Sequence, residues 1–269
     1  NKIGEVGYNL KGIATVTRQK YLTASEKGPW ANSYDRWRND NLTNRYQGVQ
    51  FGYTSAGRYT SWNDIWNYYG FKERDVLPGD YKYEDWNGDG EINGQDEHPF
   101  AFDQTPWLQF SLNAGLQWKN FDFNMLLQGS ALGSMEYKEP LHEIWGKNGG
   151  GALTQFLDRW HPVDPKADPY DPSTVWTSGH YAYTGRWAQN NSAFNRVSTA
   201  YLRLKSIELG YTFPKLKQIP NASLRVYANA YNLLTFTGVK FVDPEHPDDD
   251  LGRMYPLNKT YTLGVSLSF

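Results

Sequence analysis

The sequence contains no cysteine. Nothing in it needs or reports a disulfide-forming compartment, and thiolate metal sites are excluded. Long apolar runs are missing too. The mean hydropathy is −0.72, and no stretch approaches the ~18 consecutive apolar residues of a spanning helix. That excludes a transmembrane helix but not a membrane protein, because a transmembrane strand needs only about 9–11 residues, half of them turned away from lipid. Excess charge of one sign is also absent. At a net −2 there is no broad basic surface for nucleic acid. None of the histidines, His98, His142, His161, His180 and His246, lies three or four residues from another, so no helix-spaced zinc pair exists. GxSxG, P-loop and dinucleotide fingerprints do not occur. No spacing places two carboxylates across a cleft as a glycosidase requires. The reading is a protein that is not an enzyme. The chain starts at Asn1 without a methionine or a signal sequence, as expected of a mature, trimmed or partial chain.

What is present in excess is aromatic: 11 Trp, 20 Tyr and 13 Phe among 269 residues. Such content suits a sugar-binding surface or the interfacial girdles of a barrel. The dominant pattern is alternation with period 2, in segments of membrane-spanning length. In 6–17, Val6, Tyr8, Leu10, Ala14 and Val16 oppose Asn9, Lys11, Thr15 and Thr17. In 107–118, Leu108, Phe110, Leu112, Ala114, Leu116 and Trp118 oppose Gln109, Ser111, Asn113 and Gln117. After Lys119-Asn120 the pattern resumes with Phe121, Phe123, Met125 and Leu127 against Asp122, Asn124 and Gln128, which predicts a tight hairpin. In 201–213 the apolar parity switches between Leu204 and Ile207, and a bulge near Lys205-Ser206 would return both halves to one face. Segments 223–234 and 260–269 complete the set.

Connections at 118–121 and 213–223 are short, whereas 19–106, 132–199 and 235–258 are long. Six strands walked up and down put every long loop on one side, as in bacterial outer-membrane barrels. Six strands do not close such a barrel, and an open edge in lipid leaves bare polar groups at several kcal/mol each. The expected fold is therefore all-β: an antiparallel up-and-down transmembrane β-barrel segment, with the remaining strands supplied from elsewhere. Within the loops, 152–160 has helix-like spacing ended by Pro162, and 47–60 reads as an extended segment, either a hairpin or a strand extension. The alternative architecture is a secreted, soluble β-sandwich carbohydrate-binding module with a structural calcium.

One loop carries a metal pattern. In DWNGDGEINGQDE (85–97), Asp85, Asn87 and Asp89 fall at positions 1, 3 and 5 of a calcium loop over 85–96. Gly90 stands at the turn, Glu91 offers a backbone carbonyl, and Asp96 closes the loop where glutamate is usual. Oxygen ligands at alternate positions suit Ca2+ as a structural ion; a solvated Asp/Asn/Gly turn is the plain alternative. The acidic run at Asp243, Glu245, Asp248, Asp249 and Asp250 reads as a solvated loop rim. Nine Trp lie in the loops: Trp30, Trp37, Trp62, Trp66, Trp86, Trp145, Trp160, Trp176 and Trp187. Most are expected to staple the loops. The cluster Trp62, Trp66, Tyr68 and Tyr69 is the candidate for substrate or lid contact.

Four stretches, in order along the chain, carry a family resemblance: YEDWNGDGEINGQDE (83–97) behind GYTSAGRY, LQFSLNAGLQWKNFDFNMLLQGS (108–130), DRWHPVDPKADPY (158–170), and YLRLKSIELGYTFP (201–214) with LRVYANAYNLLTFTG (224–238) and terminal Phe269. Together they resemble the C-terminal part of the SusC/RagA family of TonB-dependent outer-membrane transporters. The resemblance implies a 22-stranded barrel with an N-terminal plug that is not part of these residues. It implies import of oligosaccharides or peptides driven through TonB, under a SusD-like surface lipoprotein acting as a lid. It places the long loops outside the cell and the C-terminus in the periplasm. It also makes Tyr261, Leu263, Val265, Leu267 and Phe269 the signal read by the barrel-assembly machinery.

Overall fold

The computed structural model describes residues 1–24, 42–68, 76–138, 141–142, 152–184, 192–214, 222–245, 254–255 and 257–269. Trp30, Trp37, Tyr69, Trp145, Trp187, His246 and Asp248 to Asp250 lie outside them.

The periodic segments form one open antiparallel sheet of seven strands, ordered β1-β2-β7-β8-β13-β14-β15. Its members are β1 (Lys2–Ile3), β2 (Val6–Val16), β7 (Leu108–Trp118), β8 (Phe121–Ala131), β13 (Tyr201–Phe213), β14 (Ser223–Thr237) and β15 (Thr260–Ser268). The six long strands are those expected, except that β14 runs on to Thr237, three residues into the segment read as the third long loop. The two-residue β1 is additional and pairs on the outer edge of β2 through Lys2↔Gly7 and Ile3↔Val6. The β7–β8 turn is made by Lys119, which takes φ +52, and Asn120. The register of β13 shifts between Leu204 and Ser206 against both neighbours. Because of that shift, Leu204 faces Leu127 and Ile207 faces Met125, so both halves of the strand keep their apolar side chains on one face.

Register rows show how completely the two faces differ. Tyr8, Leu116, Phe123, Leu209, Ala228 and Leu263 run side by side across the sheet. The next row, on the opposite face, is Asn9, Gly115, Asn124, Glu208, Asn229 and Thr262. Leu209 is 54% exposed and Leu263 85%. Among the described residues no second sheet covers the apolar face, which argues against the sandwich.

In the loops beyond the sheet β9 (Ser134–Glu136) pairs with β12 (Arg196–Ser198) and β10 (His161–Pro162) with β11 (Trp176–Thr177), and the buried clusters sit there too. Tyr53, Tyr83 and Ile92 pack together with Tyr81 and Phe194 against them, and Phe156 packs on Tyr181. Segment 47–60 is neither a hairpin nor a strand extension. Its two short strands, β3 (Gln50–Gly52) and β4 (Ser55–Arg58), pair downstream with β6 (His98–Ala101) and β5 (Tyr81–Tyr83) respectively. They thereby pin both ends of the 85–96 loop. The helix-like spacing at 152–160 yields only a short 3-10 turn, Thr154–Leu157, because no further periodic residues extend it past Asp158.

Candidate functional site

The polar face of the sheet is tied together by charge. Arg225 on β14 donates from Nε to Asp122 Oδ1 (3.1 Å) and from Nη2 to Glu208 Oε1 (2.6 Å). Gly210 stands between them; a Cβ there would come 2.5 Å from Arg225 Nη2, so the cluster closes only over a glycine. Asp122, Glu208 and Arg225 are charges at the polar parity of three strands. That parity was visible in the sequence, but their convergence depends on the register.

A second cluster joins the sheet to the third long connection. Arg203, 1% exposed, donates to Asp243 Oδ2 (2.6 Å), Glu245 Oε2 (2.6 Å) and Thr235 Oγ1 (3.0 Å). The Tyr201 hydroxyl donates to Glu245 Oε1 (2.8 Å). Asp243 and Glu245 are therefore not a solvated rim: they fold back over the sheet and pair with a buried guanidinium. The sequence offered no register between residues some forty positions apart, and the acidic run masked the two carboxylates that turn inward.

Beneath this clamp lies a cavity of about 480 Å³, bounded by β2, β7, β8 and β13 and roofed by Pro244 and Glu245.

The 85–96 loop wraps upon itself. Asp85 Oδ1 accepts from the Gly88 and Asp89 amides (2.8 and 3.2 Å), and its Oδ2 accepts from Gly90 (2.8 Å). Asn87 Oδ1 accepts from Asp89 N (2.9 Å), and Asp89 Oδ1 from Glu91 N (2.9 Å). Gly88 and Gly90 take φ +72 and +84, left-handed values that permit so tight a wrap. Asp96, fully buried, accepts from Trp86 N (2.9 Å) at Oδ1 and from Asn93 N (2.8 Å) at Oδ2. Burial pushes the Asp96 carboxyl above the usual carboxylate range, against the opposing pull of the Asn93, Asn87 and Trp86 amides. The side-chain oxygens of Asp85, Asn87 and Asp89 and the Glu91 carbonyl are the donor type a hard cation takes, with Asp85 already accepting three backbone amides. Asp96 is engaged by backbone donors at both oxygens as well, and it alone of the set is fully buried. Among the described residues no three Asp, Glu, His or Cys side chains gather closely enough to hold a metal without movement.

The aromatic cluster divides. Trp62 and Trp66 flank the short helix α1 (Trp62–Trp66), capped by Ser61 Oγ, with ring centroids 6.2 Å apart; Tyr170 stands 6.5 Å from Trp62. Trp66 is exposed. Tyr68 is engaged internally: its hydroxyl donates to the Tyr83 carbonyl (2.9 Å), and Lys82 Nζ lies 4.0 Å above its ring. Tyr261, Leu263, Val265 and Leu267 on β15, and Phe269 just beyond it, are all exposed, on a strand that among the described residues pairs with β14 alone.

No protein-family model matches the chain. Its sequence is similar to TonB-dependent receptor P3 of Formosa agariphila, 28% identical over 211 residues that cover 72% of this chain and 19% of that receptor. TonB-dependent receptor P26 of the same organism is 27% identical over 239 residues, covering 83% and 22%. TonB-dependent receptor SusC of Bacteroides thetaiotaomicron is 26% identical over 210 residues, covering 77% and 19%. The chain thus spans about a fifth of the length of these relatives. Among solved structures, the RagAB peptide importer in its closed-closed state superposes with a TM-score of 0.60 at 17% identity, over 100% of this chain and 28% of that one. The RagAB peptide transporter gives 0.54 at 20% identity, over 82% and 22%. The open sheet accordingly resembles an arc of the larger RagA barrel, and the chain is similar to the C-terminal part of SusC/RagA-type TonB-dependent receptors.

Proposed function

We propose that this chain forms the C-terminal wall and part of the extracellular mouth of an outer-membrane TonB-dependent importer for oligosaccharides or peptides, working beneath a SusD-like lipoprotein. The observation that carries the proposal is the two-faced sheet, with an uncovered apolar row beside a polar, ion-paired one. An outward apolar band and a hydrophilic interior are what a transmembrane barrel needs. The turns at Gly4-Glu5 and Lys119-Asn120 and the strand ends at Phe213 and Ser223 all lie at one end of the sheet, which we assign to the periplasm together with the C-terminus. The long connections then face outward. Trp62 and Trp66 become the lid or substrate contact, and the exposed face of β15 ending at Phe269 becomes the assembly signal. Plug movement through TonB is work for the remainder of the receptor.

The test is uptake. Cells lacking the gene for the receptor are expected to lose TonB-dependent uptake of one neutral-oligosaccharide or peptide fraction, and the intact gene to restore it. Equal uptake of every fraction with and without the gene would refute the assignment.

For the 85–96 loop we propose a structural Ca2+ held by Asp85, Asn87, Asp89 and the Glu91 carbonyl, with Asp96 clamping the backbone. Terbium added to the intact receptor should luminesce through Trp86, and Asp89→Ala should abolish the signal. Extracellular calcium modules bind at roughly 0.1–1 mM. No luminescence in that range, together with an unfolding temperature indifferent to chelator, would leave the loop standing on its hydrogen bonds alone.

A further inference from the structure

The importer reading leaves open what meets the wall where its apolar face ends. Resting on that reading, we infer that Arg18 and Lys20, just past the outer end of β2, form a binding site for the phosphate of a lipid headgroup in the outer leaflet. Alternation puts both residues in the parity of Leu10, Ala14 and Val16, and Leu10 and Val16 are each 66% exposed. The two cations are exposed as well. Lys20 stands opposite Tyr46 in an antiparallel bridge. The Arg18 guanidinium and the Lys20 Nζ lie 4.7 and 5.9 Å from the centre of the Tyr46 ring. Trp107 is 5.1 Å from that ring and 5.9 Å from the guanidinium. The two sides of segment 103–107 agree with this facing. Gln104 and Pro106 line the recess on the polar face, whereas Asp103, Thr105 and Trp107 line a separate hollow of about 240 Å³ together with Arg18.

Height fits a headgroup. Arg18 and Lys20 follow Val16 by two and four residues, which is about 7 and 13 Å along an extended chain and about 5 and 10 Å in height at the usual tilt of a barrel strand. The polar layer on one side of a bilayer is about 5–8 Å thick. Arg18 therefore stands within that layer, and Lys20, at its rim, reaches back on a flexible stem.

Charge selects the ligand. Lys82, Lys119, Arg196, Arg203 and Arg225 each ion-pair with a carboxylate. Arg18 and Lys20 pair with none among the described residues. Asp103 is the carboxylate that lines the hollow, and its Oδ1 accepts from the Gln104 amide (2.8 Å). Two cations against one carboxylate leave the spot positive. A guanidinium and an ammonium resting on one aromatic ring hold their donors ready for phosphate oxygens. Continuity with the lipid-facing strand makes the lipid surface, rather than the lumen, the source of that phosphate.

The experiment uses the complete receptor in an uncharged detergent, titrated with lipid A and with lipid A stripped of its phosphates, the bound lipid being counted by native mass spectrometry. The wild type is expected to favour the phosphorylated lipid. Arg18→Gln and Lys20→Gln should each weaken that binding about fivefold, the worth of one cation at an anionic membrane surface. The double variant should lose about 25-fold and no longer distinguish the two lipids, with its unfolding temperature unchanged. Lys119→Gln, at the opposite end of the sheet, should keep the preference. Equal affinity of the wild type for the two lipids overturns the site, as does a double variant that binds lipid A like the wild type. If the double variant does not fold, the two single variants decide by the same criterion. Inorganic phosphate that binds the wild type as tightly as lipid A also overturns it, because the site would then take the free anion. If the receptor enters lipid vesicles yet shows no preference, only the headgroup site falls. If it stays soluble in water without detergent, the importer reading itself fails.

Discussion

Replacing Asp243 and Glu245 together by alanine will destabilise the receptor by about 3–5 kcal/mol, the usual penalty for removing the partners of a buried charge. The figure belongs to the carboxylate side of the clamp because burial is unequal. The Arg203 side chain is 1% exposed, whereas those of Asp243 and Glu245 are 23% and 39% exposed. With both anions gone, the guanidinium keeps Thr235 Oγ1 and the Tyr201 ring beside it but no counter-charge among the described residues. Arg203→Met should do less damage, about 1–3 kcal/mol, because the freed carboxylates can turn toward solvent and the methionine fills the space. Chemical unfolding of the intact receptor in detergent measures both. The ordering is the decisive outcome, and equal losses in the two variants would mean that the buried charge does not dominate. The same double variant should expose 241–245 to protease, since the clamp holds that end of the segment while Tyr137 keeps Lys240 in place.

The second large effect separates a membrane wall from a soluble sheet. Leu209 lies on the apolar face in the row of Leu116, Phe123 and Leu263, two residues in from the Lys119-Asn120 turn. In a barrel, Leu209→Arg places a charge against hydrocarbon between midplane and interface and should destabilise by about 1–2 kcal/mol. On the surface of a water-soluble protein, a residue as exposed as Leu209 tolerates the same change within about 0.5 kcal/mol. Glu208 is adjacent on the chain but belongs to the opposite face, beside Arg225. Unfolding of the receptor reconstituted in lipid vesicles reads the difference, and a neutral Leu209→Arg would end the claim that this face meets acyl chains.

Much of this architecture was legible residue by residue. A strand's side chains alternate strictly, so a lipid-facing strand writes its two faces into the sequence. The parity switch between Leu204 and Ile207 revealed the register shift for the same reason. The loops were less legible. Strands β3 and β4 find their partners at β6 and β5, dozens of residues away, and short polar strands with weak alternation do not state a partner. The 152–160 spacing looked helical because a few apolar residues fit a helix by chance, and the run was too short to propagate one.

The amino-acid order by itself determined where the long strands run to within a few residues, their apolar and polar faces, the end on which the short turns lie, and the wrapped acidic loop. Each of these depends on neighbours within a few residues. Tertiary structure alone decided that Asp243 and Glu245 close on Arg203 and that Asp122 and Glu208 share Arg225. Those groupings depend on registers and chain reversals spanning tens of residues, where electrostatic attraction and packing choose partners that no local pattern encodes.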